Sequence, residues 1–157
     1  MIHNFIMHVI CPFVGTVAFA VLFNVPKRFY LCCGCTGAAG WLMYHMVMVY
    51  GGSAATASFC GTLVVVLLSR ILTVVMKCPI TIFLVSGIIP LVPGAGIYYT
   101  VFYMVNNELA EAARRGMESA KVAFAIVLAI VFVVSLPRKY FQPLYWMERK
   151  ERKIRKG

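Results

Sequence analysis

The feature that most limits what this chain can become is the spacing of its charges. They cluster, and between the clusters lie apolar runs at residues 2–23, 31–50, 54–76, 80–105 and 122–136. Runs of about 20 apolar residues match a hydrocarbon core about 30 Å thick. The pattern predicts an all-α integral membrane protein with about five transmembrane helices over residues 1–136, followed by a basic tail over residues 137–157. Hydrophobic residues make up 62% of the chain, against about 45–50% in a soluble domain. Charged residues make up 13%, about half the usual share. Five spans leave no room for a sizeable soluble domain.

The run boundaries carry their own signals. A cleaved signal peptide is the rival reading of the first run, but it has no basic n-region and no clear small-x-small site. Asn24-Val25-Pro26-Lys27-Arg28 closes that run with a turn signal and two positive charges. In the second run, Gly34, Gly37 and Ala38 share one helical face, where small side chains let a neighbouring helix approach closely. Trp41, Tyr44 and His45 follow in the same run; His45 reads as a satisfied interior histidine. Gly51-Gly52-Ser53 makes an uncharged turn. The fifth run is short for a span and borrows a turn from residues 117–121. The mixed-charge stretch before it, residues 106–121, reads as a short surface helix with Glu111–Arg115 and Arg114–Glu118 pairs four residues apart.

The net charge of +10 would raise nucleic acid as a partner on a soluble protein. Here the basic residues sit at membrane edges, which argues for a lipid bilayer and against nucleic acid. Lys27 and Arg28 follow the first helix, Lys77 the third, and the basic tail the fifth. With five spans all three clusters share one side, so the positive-inside rule places the N-terminus outside and the C-terminus in the cytoplasm. Tyr140, Phe141, Tyr145 and Trp146 precede most of the tail's charges, as in an interfacial anchor.

The fourth run carries the most informative local feature, Pro90-Leu91-Val92-Pro93-Gly94. Both prolines lack an N–H donor and disturb a helix; Gly94 and Gly96 add freedom. Pro90 lies about 15 Å from Ile80 along a helix, near the middle of a bilayer. Broken backbone at that depth must be buried in protein or line a water-filled cavity. A helix restarting near Ala95 would aim its positive end inward, a device that transporters use for carboxylates. A plain proline kink without a site is the alternative. Arg70, with Ser69 beside it, is the other feature: it either snorkels to the interface or faces the bundle interior and holds an anion. No Asp or Glu falls inside the runs, so coupling to protons would use Glu108, Glu111 or another chain. Cys32, Cys33 and Cys35 lack a second ligand pair at zinc spacing, and with Cys11, Cys60 and Cys78 they read as small reduced side chains. No metal site, cofactor motif, nucleophile set or phosphate loop is found, so no enzyme is expected.

Four segments together resemble the threonine/serine exporter family, its small membrane subunit in particular. They are Phe23-Asn24-Val25-Pro26, Gly37-Ala38-Ala39-Gly40-Trp41, Ser69-Arg70, and Ile88-Ile89-Pro90-Leu91-Val92-Pro93-Gly94 with Tyr98. The likeness covers nearly the whole chain and stops before the basic tail. It implies the C-terminal five-helix half of a secondary exporter in a bacterial inner membrane, working with a separately encoded second membrane subunit. It also implies a small carboxylate-bearing substrate, either threonine and serine or a dicarboxylate such as succinate. The expected substrate path comprises Arg70, Pro90, Pro93, Gly94, Gly96 and Tyr98. The competing expectation is a non-transporting membrane scaffold or assembly subunit, which would need only the glycine faces and the basic tail.

Overall fold

A computed structural model describes residues 2–136; the aromatic and basic tail lies outside them. Among the described residues the regular elements are all helical: α1 (Ile2–Leu22), α2 (Tyr30–Val49), α3 (Ala54–Met76), α4 (Thr81–Ile88), α5 (Gly94–Val105) and α6 (Leu109–Ser135). Short 3₁₀ turns at Lys27–Phe29 and Ile89–Leu91 precede α2 and follow α4. Three segments are long and apolar enough to cross a membrane: Lys27–Val49, Ala54–Met76 and Leu109–Ser135. The pair α4 and α5 passes the same test when taken together and is bent by 52° at the break, which gives up to four spans where the pair counts as one. The apolar stretch Met7–Leu22 of α1 is shorter.

Local chemistry sets the helix ends. Ser53 caps α3, its hydroxyl accepting from the Thr56 amide at 3.2 Å, which satisfies a donor that the first turn leaves open. Left-handed residues stop four helices: Asn24 after α1, Gly51 after α2, Lys77 after α3 and Asn107 after α5. Asparagine and glycine adopt that conformation most readily.

Small residues set the packing. Added Cβ atoms on Gly34 and Gly37 would strike Phe13 and Thr16 of α1, so the glycine face of α2 does host a neighbouring helix. On its other side Gly40 meets α3: a Cβ on Gly61 would stand 2.8 Å from the Gly40 carbonyl oxygen. His8 of α1 meets Trp41 of α2 while Thr16 meets Gly37, and Gly40 of α2 meets Gly61 of α3 while Tyr44 and Ser58 line one cleft, so α1, α2 and α3 run antiparallel in sequence. α4 lies against both α2 and α3, Gly87 sitting between Thr36 and Val65. Beneath it Phe83 meets Phe29 edge-on with ring centres 5.6 Å apart, in a buried cluster with Ala20, Val25 and Cys33.

Residues 106–121 do not form a separate surface helix. Leu109–Ser135 is one helix of 27 residues, because nothing between Lys121 and Val122 breaks it. Arg114, rather than Arg115, takes Glu111, at 2.8 Å, and also reaches Glu118 at 3.6 Å. Arg115 instead lies over the Tyr99 ring at 5.9 Å. α6 packs beside α5 as a hairpin and beside α3 in the same chain direction: Val122 and Ser58 line one cleft, and Leu136 meets Arg70. The ends of α1, α3 and α6 therefore share one end of the bundle, with Lys27, Arg28 and Lys77.

Candidate functional site

The break between α4 and α5 falls at Pro90–Pro93 and has a defined geometry. Ile89–Leu91 tightens into a 3₁₀ turn, Val92 is extended, and Pro93 starts α5 without a side-chain cap. The first α-helical hydrogen bond of α5 runs from the Ile97 amide to the Pro93 carbonyl at 3.0 Å. The Ala95 and Gly96 amides precede it, so the electropositive start of a helix of 12 residues points at the break.

That end opens on a cavity of about 340 Å³, within the range of small-molecule sites. Residues 90–96 form one wall; Trp41 and Tyr44 of α2, Ala54 and Ser58 of α3, and Arg115, Glu118, Ser119 and Val122 of α6 form the others. Gly96 belongs there for a steric reason: a Cβ on it would strike the Ser119 hydroxyl, whereas one on Gly94 would meet open space. Next along the hairpin, a Cβ on Gly116 would lie 3.2 Å from Thr100. This zipper of small residues brings the charges of α6 to the start of α5.

Two polar atoms in the lining lack a partner. Ser58 is 1% exposed, and its hydroxyl makes no hydrogen bond; neither does the buried Nε of Arg115. Burying an unsatisfied polar atom costs about 1–3 kcal/mol, and a bound ligand or water would recover that cost. Trp41 stacks on Tyr44 with ring centres 5.2 Å apart. On its far side its indole N–H reaches His8 at 3.4 Å, and His8 lies 4.0 Å from His45, ring to ring.

Of the residues expected from sequence, the structure gathers Pro90, Pro93, Gly94 and Gly96 around the cavity. Arg70 is not part of its lining; its guanidinium donates to the carbonyls of Val134 and Leu136 at 2.6 and 2.7 Å. Twelve residues separate it from Ser58, about 18 Å along α3. Tyr98 also lies outside the lining, stacked with Phe102 at 6.4 Å on the exposed side of α5. Arg115, Glu118 and Ser58, which the sequence reading did not place there, line the cavity. The carboxylate nearest the break is thus Glu118, rather than Glu108 or Glu111. The available signal was the match between small residues on either side of Asn106-Asn107, Gly96 with Ser119 and Thr100 with Gly116. The break also lies off-centre. Leu91 sits against Gly61, about 10 Å from the Ala54 end of α3 and about 22 Å from its Met76 end. Counting from Ile80 placed it deeper because α4 does not start flush with α3.

Cys33 is buried and donates its thiol to the Ile82 carbonyl at 3.6 Å, while Cys11 and Cys35 are exposed on the outer face. No group of three or more potential metal ligands occurs among the described residues.

An all-helical protein with apolar segments of membrane-spanning length, and a helix break beside a largely apolar cavity that holds a few charged and hydroxyl groups, has a build that secondary transporters use. Residues 8–136 match the family described as threonine/serine exporter, ThrE; the chain belongs to that family. It is therefore a multi-pass membrane protein of the threonine/serine exporter type, in a family of transporters rather than enzymes. No solved structure matches it.

Proposed function

We propose that this chain is the five-helix half of an exporter of small carboxylate-bearing metabolites and works with a separate large membrane subunit. The observation that carries the reading is the uncapped start of α5 facing a cavity that also holds Arg115. A carboxylate placed there meets the Ala95 and Gly96 amides and a guanidinium, each a charge-assisted donor. Pro90 and Pro93 keep that end open, and Gly96 lets α6 approach it. Glu118 is the carboxylate in the lining of this cavity. Arg70 and Tyr98 act outside this cavity.

The second subunit is supported by α5 itself. It has no buried residue, and its exposed aromatic side is available to another helix. In this reading five helices cross in turn and the positive-inside rule, applied to Lys27, Arg28 and Lys77 at one end of the bundle, favours an N-terminus outside in a bacterial inner membrane. A reporter fused after Gly157 that is active only outside the cytoplasm would reverse that orientation.

The test is efflux from cells preloaded with labelled threonine, serine or succinate. Cells making this chain together with its large subunit should lose label faster than cells making either alone. A stable two-chain assembly without efflux of any of the three would favour the scaffold reading instead. Full export by this chain alone in proteoliposomes would remove the need for a partner.

A further inference from the structure

The segment that follows α1 and the segment that leads into α4 pack on each other. Val25 and Phe29 from the first share a buried cluster with Phe83, and Cys78 and Ile82 from the second pack against it. That packing brings Lys27, Arg28 and Lys77, all exposed, to one end of the bundle. The Arg28 guanidinium lies over the Phe29 ring, 4.5 Å from its centre, so its charge is held at the rim of the cluster. α4 begins at the same end without a side-chain cap, and its electropositive start adds to these cations. The carboxylates among the described residues are Glu108, Glu111 and Glu118. They sit at or near the start of α6, whose opposite end is the one that meets Arg70.

Between the two segments opens a groove of about 240 Å³, lined by Phe23, Val25, Thr81, Ile82 and Val85. All but Thr81 are apolar, and Phe23, Thr81 and Val85 are exposed, so the groove faces outward from the bundle. Phe23 lies 6.1 Å, ring to ring, from Phe19 one turn back along α1, and this extends the apolar track away from the charged end. An apolar groove with cations at one mouth has the polarity of an amphiphile with an anionic head. We infer that this groove holds an acyl chain of an anionic phospholipid, with the lipid phosphate at Lys27 and Arg28. Basic pockets at the ends of membrane helices hold anionic headgroups in this way. A zwitterionic lipid fits less well, because its ammonium would meet the same cations, and the described carboxylates lie on another part of the bundle. A soluble anion would leave the apolar groove unfilled. The inference needs membrane-spanning helices only and does not depend on what the cavity at α5 carries.

The test is native mass spectrometry of the full chain in detergent doped equally with phosphatidylglycerol and phosphatidylethanolamine of the same acyl chains. The chain should retain one phosphatidylglycerol at least about tenfold over phosphatidylethanolamine, as expected for two cations at the headgroup. Lys27→Gln with Arg28→Gln should bring that ratio close to one, whereas Lys27→Arg with Arg28→Lys should keep it. Val85→Trp and Thr81→Trp, each filling the groove from an exposed position, should lose the retained lipid with every charge in place. Melting temperature gives a second readout: phosphatidylglycerol should raise it in the unaltered chain and not in the groove-filled variants. Equal retention of the two lipids would overturn the inference. So would a preference unchanged in the double Gln variant and in both Trp variants, which would assign lipid binding to the basic tail. A melting shift from glycerol 3-phosphate as large as that from the lipid would assign the cations to a soluble anion instead. Loss of the bound lipid when the large subunit is added would assign the groove to that subunit, and the inference would fall.

Discussion

Arg70 on α3 donates from Nη1 to the carbonyl oxygen of Leu136 at 2.7 Å, sixty-six residues along the chain. Its second prong reaches Val134 at 2.6 Å. The last carbonyls of a helix have no intrahelical donor, so the fork closes α6 and pins it to α3. Arg70→Ala should destabilise the protein by about 2–3 kcal/mol, the range of one or two hydrogen bonds to a charged group. Arg70→Lys should recover part of that, because one ammonium cannot reproduce a rigid fork. Thermal unfolding in detergent measures the loss, with substrate KM close to that of the unaltered chain. A large KM change in a normally stable Arg70→Lys protein would return Arg70 to the substrate path.

A second expectation concerns the crossing of α2 and α3. A Cβ on Gly61 would stand 2.8 Å from a backbone oxygen, that of Gly40, and 3.1 Å from Leu91. Backbone cannot step aside as a side chain can, so Gly61→Ala must push the helices apart at a cost of about 1–3 kcal/mol. Gly94→Ala has open space around it and should leave the melting temperature level or slightly raised, since alanine favours helix over glycine by about 1 kcal/mol. Equal melting temperatures for the two variants would show that the crossing is looser than this geometry.

The sequence made α2 and α3 legible almost to the residue, because their ends carry local chemistry: the Gly51 turn, the Ser53 cap and the stop at Lys77. The break was legible for the same reason, proline acting on its own backbone. Arg70 was visible as a charge in an apolar run, but its partners are carbonyls at the far end of α6, and no local pattern encodes such a contact. Arg115 was hidden differently. In sequence it belongs to a mixed-charge stretch that looks like solvated surface. Only the pairing of Gly96 with Ser119 brings α6 beside the start of α5. Ser58 could not be told from other helical hydroxyls, because the difference is a missing bond to its own helix.

Arg115 should matter for affinity more than for stability. Its contact is a ring face at 5.9 Å, worth about 0.5–1 kcal/mol where exposed. Arg115→Gln should raise the substrate KM at least about tenfold, the loss expected for one charge-assisted bond. Arg115→Lys should restore part of the affinity through its charge. Efflux measured across substrate concentrations separates KM from maximal rate. An unchanged KM in Arg115→Gln would remove the guanidinium from the binding site.

The last prediction tests the break itself. Pro90 and Pro93 keep α4 from running into α5: the 3₁₀ turn ends at Leu91, Val92 is extended, and α5 starts afresh at Gly94. Each proline disfavours a helix interior by about 3 kcal/mol relative to alanine. In the Pro90→Ala, Pro93→Ala double variant the segment should close into continuous helix. The Ala95 and Gly96 amides would then bond to carbonyls one turn back, and the electropositive end facing Arg115 would vanish. Stability should hold or rise while efflux falls steeply, roughly a hundredfold if the helix end and its orientation are both lost. A proline kink serving only packing predicts the reverse: poor folding, with normal efflux from whatever protein survives. Helicity by circular dichroism, melting temperature and efflux per assembled complex distinguish the two. A stable double variant that exports normally would show that the substrate does not use the start of α5.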